Sequence, residues 1–309
     1  MKYVFAGSSG FLGKALARDL VADGHQVVRL VRRAPSQPDE VRWDPAAGQL
    51  DPAALADADV LVNLAGANIG RPWTPTYRKT IRESRVSTTA TLAAAAAALD
   101  WPPVFITQSG IGGYGKDCGD RILTEDSELG DGFLADVVSL WEGAAEPARA
   151  AGCRVAALRT GVVIDRGAPA FRLLALPFKL GFGGRLGSGK QYFPVVSLTD
   201  WIRAVRFVAE HDEISGPVNV NLPTPVTSQE FTVALGKALH RPTLVPIPSF
   251  VLTTVLREFA WELIGSKRAL PTKLLTAGFT FTHPTASEAL AATLTRPRLQ
   301  SSSSRSPGV

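Results

Sequence analysis

The sequence predicts an α/β fold, a doubly wound parallel sheet followed by a smaller, mainly helical C-terminal part, on three observations. Short β-branched runs alternate with helical patterns through the first half of the 309 residues. A glycine-rich turn, "FAGSSGFLGKAL", joins the first run to the first helical pattern. After about Asp165 the alternation stops, and glycine, proline and aromatic residues dominate as far as Pro194.

Each element has its own warrant. "KYVFAG" is a compact apolar strand, and "GKALARDLVADG" a helix with Leu16, Leu20 and Val21 on one face and Gly24 as its stop. "HQVVRLVRR" and "ADVLVNLAG" read as strands, and "TYRKTIRESRVSTTATLAAAAAALD" as a long helix. Then come the strand "PVFITQS", the helix "DGFLADVVSLWEGAAEPARAAG" and the strand "CRVAALRTGVVI". Such alternation needs crossover connections, hence parallel strands with helices on both faces. "GPVNVNLP" reads as a strand returning to the sheet, and "TSQEFTVALGKAL" opens a helical C-terminal part. The expected division is a main domain over 1–165, rejoined by 195–222, and a small substrate domain from 166–194 and 223–295. Residues 296–309 read as a solvated, disordered tail.

Composition narrows the class. A formal charge of +5 spread over dispersed arginines suits an anionic small ligand and gives no nucleic-acid footprint. Two cysteines, Cys118 and Cys153, without a C-x-x-C pair suit a reducing compartment. The opening apolar run is too short for a secretory signal, and the alanine tract too short to span a bilayer. The expectation is a cytoplasmic protein, monomer or homodimer, away from membranes. Four scattered histidines lack metal-ligand spacing.

Two glycine loops compete for a nucleotide. Gly7, Gly10 and Gly13 stand between a strand and a helix, the setting a dinucleotide fingerprint requires. Gly7 allows the tight turn, Gly10 lets the main chain approach a pyrophosphate, and Gly13 lets the helix pack on the sheet. The diphosphate then faces the free N–H groups at the helix start. A merely structural turn is the alternative. An acidic residue at the end of the second strand would hold the ribose 2′-hydroxyl of NAD, but "VRLVRR" ends in Arg32 and Arg33. Two guanidinium groups suit a 2′-phosphate, so the expected cofactor is NADP, with solvated strand-end arginines as the alternative. The second loop, "LGFGGRLGSGKQYF", has Gln191 where a triphosphatase needs Ser or Thr for magnesium, and no central strand precedes it. It borders a substrate cleft or merely connects domains.

The spacing G-x-x-G-x-x-G resembles the loop of the short-chain dehydrogenase/reductases. The ordered set "GSSGFLG", "DVLVNLAGANI", "SGIGGYG", "FLADVVSLWEGAA" and "LRTGVVI" is similar to their extended, atypical members. The branch it looks like is the one labelled sugar-nucleotide epimerase-like or NADP-dependent oxidoreductase, on a Rossmann-type sheet. The ending "LPTKLLTAGFTFTHPTASEAL" resembles that branch's small C-terminal domain of unknown function. The resemblance covers about residues 1–292. It implies cofactor contacts at Gly7, Ser9, Gly10, Phe11 and Leu12, with Arg32 by the adenosine phosphate. It also implies Leu64, Ala65 and Gly66 beneath the cofactor, Arg85 reaching in from the long helix, and Val162 beside the nicotinamide.

Typical members pair a serine with Tyr-x-x-x-Lys, in which lysine lowers the tyrosine pKa. At the matching positions this chain has Leu134 and Val138, and none of its four tyrosines has lysine four residues on. Ser109 stands at the expected strand end. Tyr114 is the replacement acid, with packing at the cleft wall as the alternative role for its ring; Lys116 lies nearby in sequence. A tyrosine without its lysine is an acid at neutral pH, which favours carbonyl reduction with Ser109 and Tyr114 as donors to the carbonyl oxygen. Three functions follow: an NADP-dependent oxidoreductase on a small carbonyl or alcohol, an epimerase-like isomerase with retained nicotinamide, or a non-catalytic NADP-binding sensor.

Overall fold

The computed structural model describes residues 1–295; the stretch read as a tail, 296–309, lies outside the described residues. In chain order the first half forms β1 (Lys2–Ala6), α1 (Phe11–Ala22), β2 (Gln26–Val31), β3 (Glu40–Arg42), β4 (Val60–Asn63) and α2 (Pro75–Ala97). Then follow β5 (Val104–Gly110), β6 (Ile122–Leu123), α3 (Phe133–Gly143), α4 (Glu146–Ala150) and β7 (Val155–Thr160). The second half forms β8 (Val162–Ile164), α5 (Pro169–Lys179), β9 (Val195–Ser197), α6 (Leu198–Glu210), β10 (Gly216–Val220) and α7 (Ser228–Leu239). It ends with α8 (Ser249–Leu256), α9 (Trp261–Ile264), β11 (Arg268–Ala269), α10 (Thr272–Thr276) and α11 (Ala286–Thr295).

Seven parallel strands pair in the order β10-β7-β5-β4-β1-β2-β3, so the order reverses at β1 and β4. Alternate residues of β1 feed opposite faces, as strand geometry requires. Tyr3 and Phe5 join the core beneath α1 and α6, while Val4 and Ala6 join the one beneath α2 and α4. The alanine tract of α2 supplies the second core: Leu92, Ala93 and Ala96 are fully buried.

Two expected elements are each divided. The helix expected across 131–152 breaks after Gly143, because Pro147 lies in the first turn of a new helix, where its missing N–H costs nothing. The strand expected over 153–164 breaks at Gly161, where an added Cβ would lie 2.7 Å from the carbonyl oxygen of Pro194. Beyond it, β8 leaves the main sheet and pairs with β9. Within the glycine- and proline-rich segment lies an unexpected helix, α5, with Pro169 in its first turn and Phe171, Ala175 and Phe178 buried.

The second glycine loop is a docking ribbon. Gly187 donates to Ile247 O and Ile247 donates to Arg185 O, while a Cβ on Gly184 would collide with Val245 O. The C-terminal part is stitched in by α11 packing on α7 and by β11 pairing with β6. Asn219 of β10 joins these pieces, its side-chain amide donating to Leu123 O at 3.3 Å and Leu270 O at 2.9 Å. Among the described residues no helix is long and apolar enough to cross a membrane, and no cluster of His, Cys, Asp and Glu could hold a metal ion.

Candidate functional site

A cleft of about 450 Å³ opens at the carboxyl ends of β1, β4, β5 and β7, where open parallel sheets bind ligands. Gly7, Gly10, Phe11, Leu12 and Gly13 form one end of its lining. Gly7 has φ +84°, and a Cβ on it would lie 2.6 Å from the Leu64 carbonyl carbon. A Cβ on Gly13 would lie 2.3 Å from Gly7 O. The loop is therefore as close to its neighbours as glycine allows. Gly10 caps α1 without any side-chain hydrogen bond, and no acidic residue stands in the first turn. The positive helix end is left for an anion.

Leu64, Gly66, Arg85, Ser109 and Val162 also line the cleft, so these expected contacts converge on it. Ser9 is exposed outside the lining, and Ala65 packs instead toward the core beneath α2 and α4. Arg85 donates to Ile81 O and Ala67 O, and its guanidinium lies 5.0 Å from the centre of the Trp141 ring. Burial lowers its pKa to about 10.

The two arginines after β2 part company. Arg32 is exposed, and among the described residues no carboxylate pairs with it. Arg33 instead grips the buried Glu40 through both amino groups, at 2.6 and 2.8 Å. The expectation that both share a phosphate is corrected here: the Arg33 fork is already filled by a carboxylate. The Arg33 hydrogen bonds, with the Ser36 N–H, lower the Glu40 pKa to about 2.

Tyr114 also departs from expectation. Its side chain is 1% exposed and is absent from the cleft lining. The hydroxyl lies 2.9 Å from Thr124 O and 2.8 Å from Asn219 Oδ1, and burial raises its pKa. It is a core hydroxyl that secures β10, in place of the expected proton donor. Lys116, nearby in sequence, pairs with Glu258 at 3.4 Å.

Ser109 is joined by groups the sequence reading passed over. Its Oγ donates to Glu142 Oε1 at 2.7 Å, and Arg159 grips the same carboxylate through Nε at 2.9 Å and NH2 at 2.8 Å. Burial opposes the Arg159 charge, but the Glu142 hydrogen bonds and charge outweigh it and hold the guanidinium pKa above its ordinary value. Each charge interrupts an apolar run, "VVSLWEGAA" or "VAALRTG", and buried charges need partners; that was the available signal. Leu134 and Val138 line the cleft, as do Gln108 and Trp141. Glu262 and Lys267 of the C-terminal part close it, their side chains 3.5 Å apart.

The sequence model of the NAD dependent epimerase/dehydratase family matches residues 4–133, and that of a domain of unknown function, DUF1731, matches residues 247–293. An epimerase family protein of Mycobacterium leprae is 43% identical over 294 residues, which cover 94% of this chain and 95% of that one. The chain belongs to the epimerase/dehydratase family. Within it, the chain resembles the human epimerase family protein SDR39U1, whose crystal structure with NADPH superposes with a TM-score of 0.84 at 32% identity. That match covers 95% of this chain and 99% of the human one. A nucleoside-diphosphate sugar epimerase from Corynebacterium glutamicum gives a TM-score of 0.79 at 34% identity, over 95% of this chain and 58% of that one.

Proposed function

We propose that this family member is an NADP(H)-dependent oxidoreductase acting on a small alcohol or carbonyl compound. One observation carries the reading: a single cleft runs from the uncapped, glycine-lined start of α1 to Ser109 at the end of β5. The glycines and the helix start would hold a pyrophosphate, and Arg32 would meet the 2′-phosphate. The bound NADPH of the human relative supports that choice of dinucleotide. When bound, a nicotinamide supplies or accepts a hydride. The chain's own residues would orient it: Leu64 and Val162 border the cleft, while Leu134 and Val138 keep one wall apolar. Ser109 would be the polar group that meets the substrate.

Fluorescence titration with NADPH and NADH, followed by turnover over a panel of carbonyls and alcohols, tests the reading. Tighter binding of NADPH by at least tenfold, with turnover, is expected. Absence of NADPH binding overturns it. Binding without turnover turns the protein into a sensor, the reading that Leu134 and Val138 favour by supplying no proton.

A further inference from the structure

We infer that the cleft receives its substrate through a hydroxyl group: Glu142 fixes Ser109 as a hydrogen-bond acceptor, so the docking group must be a donor, an alcohol in preference to the matching carbonyl. This rests on the cleft holding a small alcohol or carbonyl beside NADP(H), as proposed above.

A serine hydroxyl has one proton and two lone pairs. The Ser109 proton is committed to Glu142 Oε1 at 2.7 Å. Glu142 has none to give back, because its carboxylate also accepts from Arg159 at both oxygens. Arg159 is itself pinned, 4% exposed and 5.0 Å from the centre of the Tyr114 ring. What remains of Ser109 for the cleft is its lone pairs.

Gln108 repeats the polarity by an independent route. Its Nε2 donates to the main-chain oxygen of Ser109 at 2.8 Å, which fixes the amide orientation. The other end, Oε1, is buried with no hydrogen-bond partner among the described residues. An unpartnered acceptor beside a committed serine means that Gln108, too, offers the cleft no donor at this point.

The two charged donors of the lining each have protein partners. Arg85 is held by Ile81 O and Ala67 O, and Lys267 faces Trp261 O and Glu262. Among the described residues the Trp141 Nε1–H is buried and unpartnered, and further along the lining the Asn68 amide N–H groups and the remaining Arg85 N–H groups are also without a hydrogen-bond partner. A hydroxyl satisfies this set by donating to an acceptor and accepting from a donor. A ketone oxygen has only lone pairs, and at Ser109 it would meet lone pairs. Glu142 is thus a positioning residue, and the polarity it imposes is opposite to that expected from the sequence, where Ser109 polarises a carbonyl.

The test uses full-length protein loaded with tetrahydro-NADP, which can neither give nor take hydride. NADPH binding is verified first by fluorescence; its failure would sink the cofactor reading, and the same ranking on the cofactor-free protein would then decide the polarity of Ser109. Ligand-observed NMR then ranks matched secondary alcohols and ketones of four to ten carbons at millimolar concentration. Alcohols are expected to bind about tenfold tighter than their ketones, the scale of one hydrogen bond. Glu142→Gln offers Ser109 an amide donor, frees its proton and should erase or reverse the preference. Ser109→Ala keeps the Glu142–Arg159 pair and should level the two classes even if the glutamine variant is unstable. Ketones bound as tightly as alcohols, an unchanged ranking in both variants, or no binding by either class would overturn the inference.

Discussion

The α-carbon of Gly13 faces the carbonyl oxygen of Gly7 so closely that a methyl group placed on it would lie 2.3 Å away. Alanine ordinarily stabilises a helix by about 1 kcal/mol over glycine. At Gly13 the clash is with main chain, which cannot swing aside, so Gly13→Ala should lower the melting temperature and weaken NADPH binding by more than tenfold. Gly143→Ala, where nothing lies within 4 Å of the new Cβ, should be neutral or stabilising. Paired thermal melts and NADPH titrations check both.

Arg32 and Arg33 should separate functionally. Arg32→Ala removes the exposed guanidinium after β2, and NADPH affinity should fall about tenfold or more, with NADH affinity unchanged. Arg33→Ala should move NADPH affinity far less, since its partner is Glu40. Equal losses in the two variants would count against this division.

Glu40 carries an acid signature. Its carboxyl is lowered from 4.5 to about 2, chiefly by the Arg33 hydrogen bond. A depressed carboxyl contributes stability that is complete above its unfolded pKa and disappears as pH falls through the folded one. Wild type should therefore lose this contribution progressively between about pH 4.5 and 2. Arg33→Met should melt at a lower temperature than wild type above pH 5, with the gap closing toward pH 2. A gap independent of pH would show that the pair contributes through packing alone.

Tyr114→Phe tests a hydroxyl that bridges β10 to the rest of the fold. Thr124 O and Asn219 Oδ1 would share the loss of a buried donor, at about 1–3 kcal/mol. Urea denaturation should show that loss while NADPH affinity stays within twofold. A large drop in turnover at unchanged stability would return Tyr114 to the chemistry.

Six of the seven sheet strands were legible as short apolar runs, whereas the edge strand β3, three residues with two charges, was not. Strand β1 appears where "KYVFAG" places it, and α1 starts two residues before "GKALARDLVADG", with Leu16 and Leu20 buried but Val21, expected on the same face, exposed. The breaks at Gly143 and Gly161 were not legible, because they depend on a following proline and on a neighbour, Pro194, distant in sequence. Gly7, Gly10 and Gly13 converge on the cleft because the motif is local. Tyr114 misled for the opposite reason. Its distance from Ser109 along the chain is short, but a turn (Ile111–Tyr114) swings the ring into the core with Leu123 and Ala269. Glu142 and Arg159 find Ser109 only across elements, a pairing that one-dimensional spacing does not carry.

Asn219 has a bearing on the order in which this chain is made. Its side-chain amide is buried and shared between Leu123 O, already synthesised, and Leu270 O, which lies 51 residues further on. At about 5–20 residues per second the ribosome takes roughly 3–10 s to deliver that second acceptor. During that interval the nascent sheet has every strand in hand, yet its outermost one carries a polar group awaiting a partner. The wall that completes the cleft thus arrives last, and a chain released early should keep β10 only loosely docked, open to proteases at the sheet edge.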